Sequence, residues 1–257
     1  PTITDTVTID ATTQPGYAGE PLISLDGSAT AKHGFQLDAN SDNTTIRGFK
    51  IIDFGGSGIH LASGADHVTI ADNWIGTSGT GSSGTGNSND GIDLRAKNTT
   101  ILRNVITNNG DEQINIAGSG ATNHVVQGHI IGLDPDGSTT SNTGDFGIAI
   151  ISGSGNLIGG TTAAERNIIS NNFEGIEINT DDNVVQGNYI GTDITGTLDR
   201  GNRSDDGIEI QSGASNNLIG GTAEGAGNLI AYNNNYGVYV ISGAGNEVVG
   251  NTITANQ

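Results

Sequence analysis

A four-residue unit, glycine–apolar–variable–apolar, recurs through most of the 257-residue chain and limits its fold more than any other feature. It stands at Gly34-Phe-Gln-Leu37, Gly58-Ile-His-Leu61, Gly91-Ile-Asp-Leu94, Gly147-Ile-Ala-Ile150, Gly175-Ile-Glu-Ile178, Gly207-Ile-Glu-Ile210 and Gly237-Val-Tyr-Val240. One copy lacks the glycine, Gln113-Ile-Asn-Ile116. Successive copies begin 22 to 34 residues apart, with shorter and longer intervals alternating. Units of this size at this spacing mark a repeat array, in which no unit buries its apolar face alone.

Two further signatures keep the same rhythm. An Asn followed by apolar residues opens Asn98-Thr-Thr-Ile101, Asn123-His-Val-Val126, Asn156-Leu-Ile-Gly159, Asn183-Val-Val-Gln186, Asn217-Leu-Ile-Gly220 and Asn246-Glu-Val-Val249. A lone Asn precedes a short apolar pair at Asn73-Trp-Ile75, Asn104-Val-Ile106, Asn167-Ile-Ile169, Asn188-Tyr-Ile190, Asn228-Leu-Ile230 and Asn251-Thr-Ile253. Each coil therefore holds three short strands joined by residues that tolerate positive φ. Stacked copies pair every backbone edge with the coils above and below, and Asn at a shared corner donates to the next coil as a ladder. The longer intervals carry turn segments such as Asp134-Pro-Asp-Gly137 and Asp193-Ile-Thr-Gly196, read as insertions at one corner of the coil. The expected fold is an all-β solenoid of about eight coils over residues 33–257, with residues 1–32 as an N-terminal capping segment.

Composition agrees with an aliphatic column. Aromatic residues are only 4% of the chain, so Ile, Val and Leu must supply the core. The net charge of −19 leaves no basic surface for a nucleic acid backbone and disfavours an anionic membrane. No apolar run approaches the ~20 residues of a spanning helix, so membrane insertion is not expected. The chain has no Cys, which removes disulfides and thiol catalysis, and no Met, from which it is expected to be part of a longer solenoid or a processed product.

The repeat resembles the right-handed parallel β-helix of the pectin-lyase-like superfamily. Thr8-Ile-Asp-Ala-Thr-Thr-Gln-Pro-Gly-Tyr17 and Asn188-Tyr-Ile-Gly-Thr-Asp193 are similar to segments of large bacterial surface β-helix proteins. The resemblance implies a right-handed parallel β-helix in a secreted or cell-surface bacterial protein, with a polysaccharide or surface glycan as partner and further solenoid coils in a longer parent.

Alternation along each four-residue unit places its third residue outward. One wall of the solenoid then carries Gln36, His60, Asp93, Asn115, Ala149, Glu177, Glu209 and Tyr239. The residue before each unit joins it: Ser57, Asp90, Glu112, Phe146, Glu174, Asp206 and Tyr236. Coils stack ~4.8 Å apart, so Asp90, Asp93 and Glu112 fall in one carbohydrate-sized patch beside Asp111. Asp205, Asp206 and Glu209 form a second acidic patch. Asp93, Asn115, His60, Arg95, Phe146 and Glu177 are the candidate glycan contacts.

Three functions remain open. The first is a structural or adhesive module that presents this face to glycans. The second comes from resemblance: Asn87-Ser-Asn-Asp-Gly-Ile-Asp93 and Gly110-Asp-Glu-Gln-Ile-Asn-Ile116 are similar to two motifs of the polygalacturonase-like hydrolases. That resemblance implies Asp90, Asp111 and Glu112 as an inverting acid/base cluster, with carboxyls roughly 6.5–9.5 Å apart to admit a water. The chain departs from those enzymes at Asp145-Phe-Gly147, where they have Gly-His-Gly, and at Gly175-Ile-Glu-Ile178, where they have Arg-x-Lys. The third is a calcium-assisted lyase or epimerase, with Lys50, Arg95, Lys97 and Arg103 as candidate bases. Calcium is the one cofactor the sequence suggests, at Asp134/Asp136 or Asp181/Asp182. His129 replaces a ladder Asn and reads as packing, as does Trp74.

Overall fold

The computed structural model describes residues 1–28, 30–82, 85–140 and 144–257. It is a right-handed parallel β-helix built from three parallel sheets, each of nine strands. Every coil gives one strand to each sheet. The first sheet runs from Thr2–Ile3 to Val238–Val240, the second from Thr8–Asp10 to Glu247–Val249, and the third from Ile23–Asp26 to Thr252–Thr254. There are nine coils, one more than the four-residue units. Residues 1–32 form coil 1 without such a unit: Thr2 pairs with Gln36, Ile9 with Ile46, and Leu25 with Ile51.

The core is an aliphatic column. Leu37, Leu61, Leu94, Ile116, Ile150, Ile178 and Ile210 lie in register on successive coils, each fully buried. Burying one such side chain contributes about 1.5–3 kcal/mol, so each coil brings its own driving force. The glycine that opens each unit is needed for closeness rather than for φ. A Cβ on Gly91 would stand 2.6 Å from the Gln113 carbonyl, and one on Gly175 2.2 Å from the Gly207 carbonyl. In coil 5, where Gln113 replaces the glycine, its Oε1 accepts from the Asn109 side chain at 2.9 Å.

All three corners carry side-chain ladders. Between the second and third sheets, the backbone N–H of Asn73 donates to Asn104 Oδ1, that of Asn104 to His129 Nδ1, and that of His129 to Asn167 Oδ1, each at 2.9 Å. His129 thus substitutes for Asn, as read from the sequence. At the corner before the second sheet the sequence alignment slips by one residue in two coils. The rungs there are Thr99 and His124, which continue into Asn156 and Asn183. Asn98 and Asn123 precede them at φ 55° and 58°, in the left-handed conformation that Asn accepts more readily than most residues. A third ladder, through Asn87 and Asn109 and again through Asn172, Asn202, Asn233 and Asn256, was not anticipated.

The insertions occupy two corners rather than one. Coils 3, 5 and 7 are long between the third and first sheets, and coils 6 and 8 between the second and third. Corners of like kind meet across the coil between them. Gly81 N–H reaches Asp134 Oδ2 at 2.7 Å, and Ile194 N–H reaches the Gly137 carbonyl at 2.9 Å. A Cβ on Gly225 of coil 8 would lie 2.0 Å from the Thr161 carbonyl of coil 6.

Candidate functional site

The outer face of the first sheet collects the candidate residues. His60, Asp93, Asn115, Ala149, Glu177, Glu209 and Tyr239 pair in an unbroken register from coil 3 to coil 9. Two acidic clusters stand on this wall. In coils 4 and 5, Asp90, Asp111 and Glu112 bring one oxygen each within 4.8 Å of one another. Asp90 is buried at 6% exposure, Asp111 is exposed and Glu112 lies between. Ser57 Oγ donates to Asp90 Oδ2 at 3.3 Å. Burial, a hydrogen bond shared with Glu112 and the nearby Asp93 charge push the Asp90 carboxyl up to about 8. Asp90 therefore holds a proton at neutral pH. The three carboxyl groups thus converge at one point of the wall.

Beside this cluster lies a charge-paired group. His60 Nδ1 meets Asp93 Oδ2 at 2.8 Å, and Arg95 Nε meets the same oxygen at 3.0 Å. Burial would raise the Asp93 carboxyl, but these hydrogen bonds outweigh it and hold the group below its ordinary range. The His33 ring stacks on His60 with centroids 4.6 Å apart, and Ser57 N–H donates to His33 Nδ1 at 2.9 Å. Sequence reasoning missed His33. Its signal was positional: it precedes Gly34 as Ser57 precedes Gly58, in the outward column.

The second cluster spans coils 7 and 8. Glu174, Asp205 and Glu209 each place an oxygen within 4.8 Å of the others. Glu174 faces outward as expected but is only 3% exposed, and its Oε1 has no hydrogen-bond partner. Burial and the charges of Glu209, Asp205, Glu177 and Asp206 push it up to about 9. Burial, then Asp206 and Asp205, raise Glu209 as well. Glu177, also buried, accepts from Asn179 Nδ2 at 3.1 Å and from Gln211 Nε2.

The remaining candidates separate. Asn115 lies on the wall between Asp93 and Ala149. Phe146 lies half-buried in register with Glu174. The four proposed bases do not converge. Lys50 pairs with Glu20 and lies 4.8 Å over the Trp74 ring, Lys97 pairs with Asp66, Arg103 with Asp72, and Arg95 with Asp93. The Asp72 hydrogen bond raises Arg103 further, which keeps it protonated. Asp136 spends its oxygens on Ser138 N–H and on Thr139 N–H and Oγ1, and Asp181 accepts from Ser215 N–H. Asp136 is a local turn acceptor, and Asp181 an acceptor from the next coil. Buried His129 donates from Nε2 to the Ile101 carbonyl at 3.0 Å and is held down at about 4 by burial. No helix among the described residues is long and apolar enough to cross a membrane. No family model matches the chain, and no curated protein or solved structure matches it either.

Proposed function

We propose that the chain is a segment of a secreted or cell-surface bacterial β-solenoid of the pectin-lyase-like kind, whose first-sheet face holds an extended polysaccharide or surface glycan. The observation that supports this reading most is a strip on coils 6 to 9 where aromatic rings bracket carboxylates. Phe146, Glu174, Asp206 and Tyr236 each stand immediately before the glycine-opened unit on successive coils, and Phe173, Tyr236 and Tyr239 are 41%, 52% and 39% exposed. The strip runs over about 14 Å at the stacking distance of parallel strands. Aromatic faces stack on sugar rings, and carboxylates accept from sugar hydroxyls. An open, straight wall suits a polymer better than a compact ligand, which takes a concave pocket. The −19 net charge favours a neutral glycan over a polyuronate, whose approach it slows.

Affinity electrophoresis against a panel of neutral and acidic polysaccharides tests this. Neutral polymers are expected to retard the protein, and Phe173→Ala and Tyr236→Ala to lose the retardation. A folded protein that no polymer retards would sink the reading. The protonated Asp90 supports a second reading, glycosidic-bond cleavage with Asp90 as proton donor. A reducing-end assay on the same panel separates the two, because product formation lost in Asp90→Asn belongs only to the second.

A further inference from the structure

Three features of the second acidic cluster meet at one point. The first is distance. Two oxygens on opposite sides of a calcium ion, each about 2.4 Å from it, stand about 4.8 Å apart, and calcium takes six to eight oxygen ligands in flexible geometry. The oxygens of Glu174, Asp205 and Glu209 fall within that span. The second is an orphaned acceptor. Glu174 is only 3% exposed, its carboxyl gives one oxygen to the cluster, and its Oε1 has no hydrogen-bond partner. Buried acceptors of this kind are nearly always satisfied, by protein, water or an ion. The third is the absence of a counter-charge. The ion pairs of His60, Arg95, Lys97 and Arg103 all lie on coils 3 and 4, and among the described residues no basic side chain pairs Glu174, Asp205 or Glu209.

We propose that Glu174, Asp205 and Glu209 form a binding site for a hard divalent cation, calcium before magnesium, on the first-sheet face of coils 7 and 8. Every donor is oxygen and no imidazole or thiolate adjoins, which excludes the softer transition metals as the preferred occupant. Three side-chain ligands on a half-open face leave the remaining positions to water. Magnesium requires tighter octahedral geometry than carboxylates on two separate coils supply. The cation would cross-link coils 7 and 8 and stabilise the native chain by mass action. The site stands independently of the glycan reading, and its test contains no glycan.

The experiment uses the full chain stripped with a chelator and then titrated with calcium alone, read by thermal melting, and with terbium as a luminescent surrogate. Tyr236 and Tyr239, on the next coil, are placed to sensitise a bound terbium ion. The Tyr236 N–H bonds Asp206 Oδ1 at 2.7 Å, which fixes that coil against the cluster. Calcium is expected to raise the melting temperature by several degrees and to displace terbium emission. Glu174→Gln, which keeps the side-chain shape, and Glu209→Gln, at a half-buried position that tolerates change, are each expected to lose both responses while keeping β-sheet circular dichroism. Asp111→Asn in the other cluster is expected to keep both. The proposal is overturned if the wild-type chain shows neither response. It is overturned equally if the responses survive Glu174→Gln and Glu209→Gln, or vanish only in Asp111→Asn.

Discussion

The two acidic clusters lie on the same sheet, three coils apart, share two of their three positions (Asp90 with Glu174, Asp111 with Asp205) and differ in what surrounds them. Asp90 and Glu174 are equivalent residues, both buried and both raised well above the ordinary carboxylate range. Around Asp90 the charge is shared: Ser57 donates to it, Glu112 shares a hydrogen bond with it, and Asp93 next door is hydrogen-bonded to His60 and paired with Arg95. Around Glu174 the neighbouring charges are Glu209, Asp205, Glu177 and Asp206, all negative. The same scaffold thus makes one cluster that is closed upon itself and one that lacks a cation.

The strongest way to break the comparison is through the shared scaffold. Gly175→Ala and Gly91→Ala each drive a methyl against the carbonyl of the next coil, at 2.2 and 2.6 Å. Both are expected to destabilise the chain by about 2–3 kcal/mol, Gly175→Ala more, as read by denaturant melts. Equal losses would mean that the coils shift to admit the methyl. Next in size, His60→Ala leaves buried Asp93 with only the exposed Arg95. A loss of about 1–2 kcal/mol is expected, and an unchanged midpoint would show that Arg95 alone suffices.

Acidity sharpens the contrast from the other side. The Asp90 carboxyl rises from 3.8 to about 8 on folding. The unfolded chain therefore ionises first, so stability falls as pH climbs from about 4 to about 8 and is level above that. Asp90→Asn is expected to remove this share of the slope and to stabilise the chain at pH 8, leaving the share that buried Glu174 contributes. A slope unchanged in the variant would place the proton elsewhere in the cluster. Tyr239→His sets an imidazole beside Glu209 from the following coil, where His60 meets Asp93 from the preceding one, and is expected to weaken calcium-induced stabilisation. Smallest of all, Asp111→Asn at the exposed rim is expected to change stability by less than about 0.5 kcal/mol.

Much of the fold was legible because a solenoid writes its core in period two and its coils in glycine. Ile92, Ile114 and Ile148 announced their column, and the outward wall was read residue by residue. Coil 1 was missed as a coil because Thr2-Ile3 forms its first strand without the glycine unit. The one-residue slip at Asn98 and Asn123 arose because Asn suits both a left-handed turn and a ladder rung, and sequence alone does not say which role it plays. At the site, the acidic clusters were visible as positions, but burial was not. Glu174 points outward yet is enclosed, since the chain at 203–205 folds back over Phe173: the N–H groups of Ser204 and Asp205 both reach the Phe173 carbonyl at 3.1 Å. Pairing of His33 with His60 depended on ring stacking between coils, which no local motif encodes.

The alternation of long corners has a consequence for how such a chain grows or shrinks. Because the corners of coils 3, 5 and 7 brace one another across the coils between them, and those of coils 6 and 8 do likewise, removing one coil would set unlike corners face to face. Removing two would leave every brace in phase. The interval from Gln113 to Gly175 and that from Gly175 to Gly237 are each 62 residues. The unit that duplication or engineering can insert or delete cleanly is therefore the coil pair, and a graft placed in the 192–199 corner would recur, in a lengthened solenoid, at every second coil, about 10 Å apart.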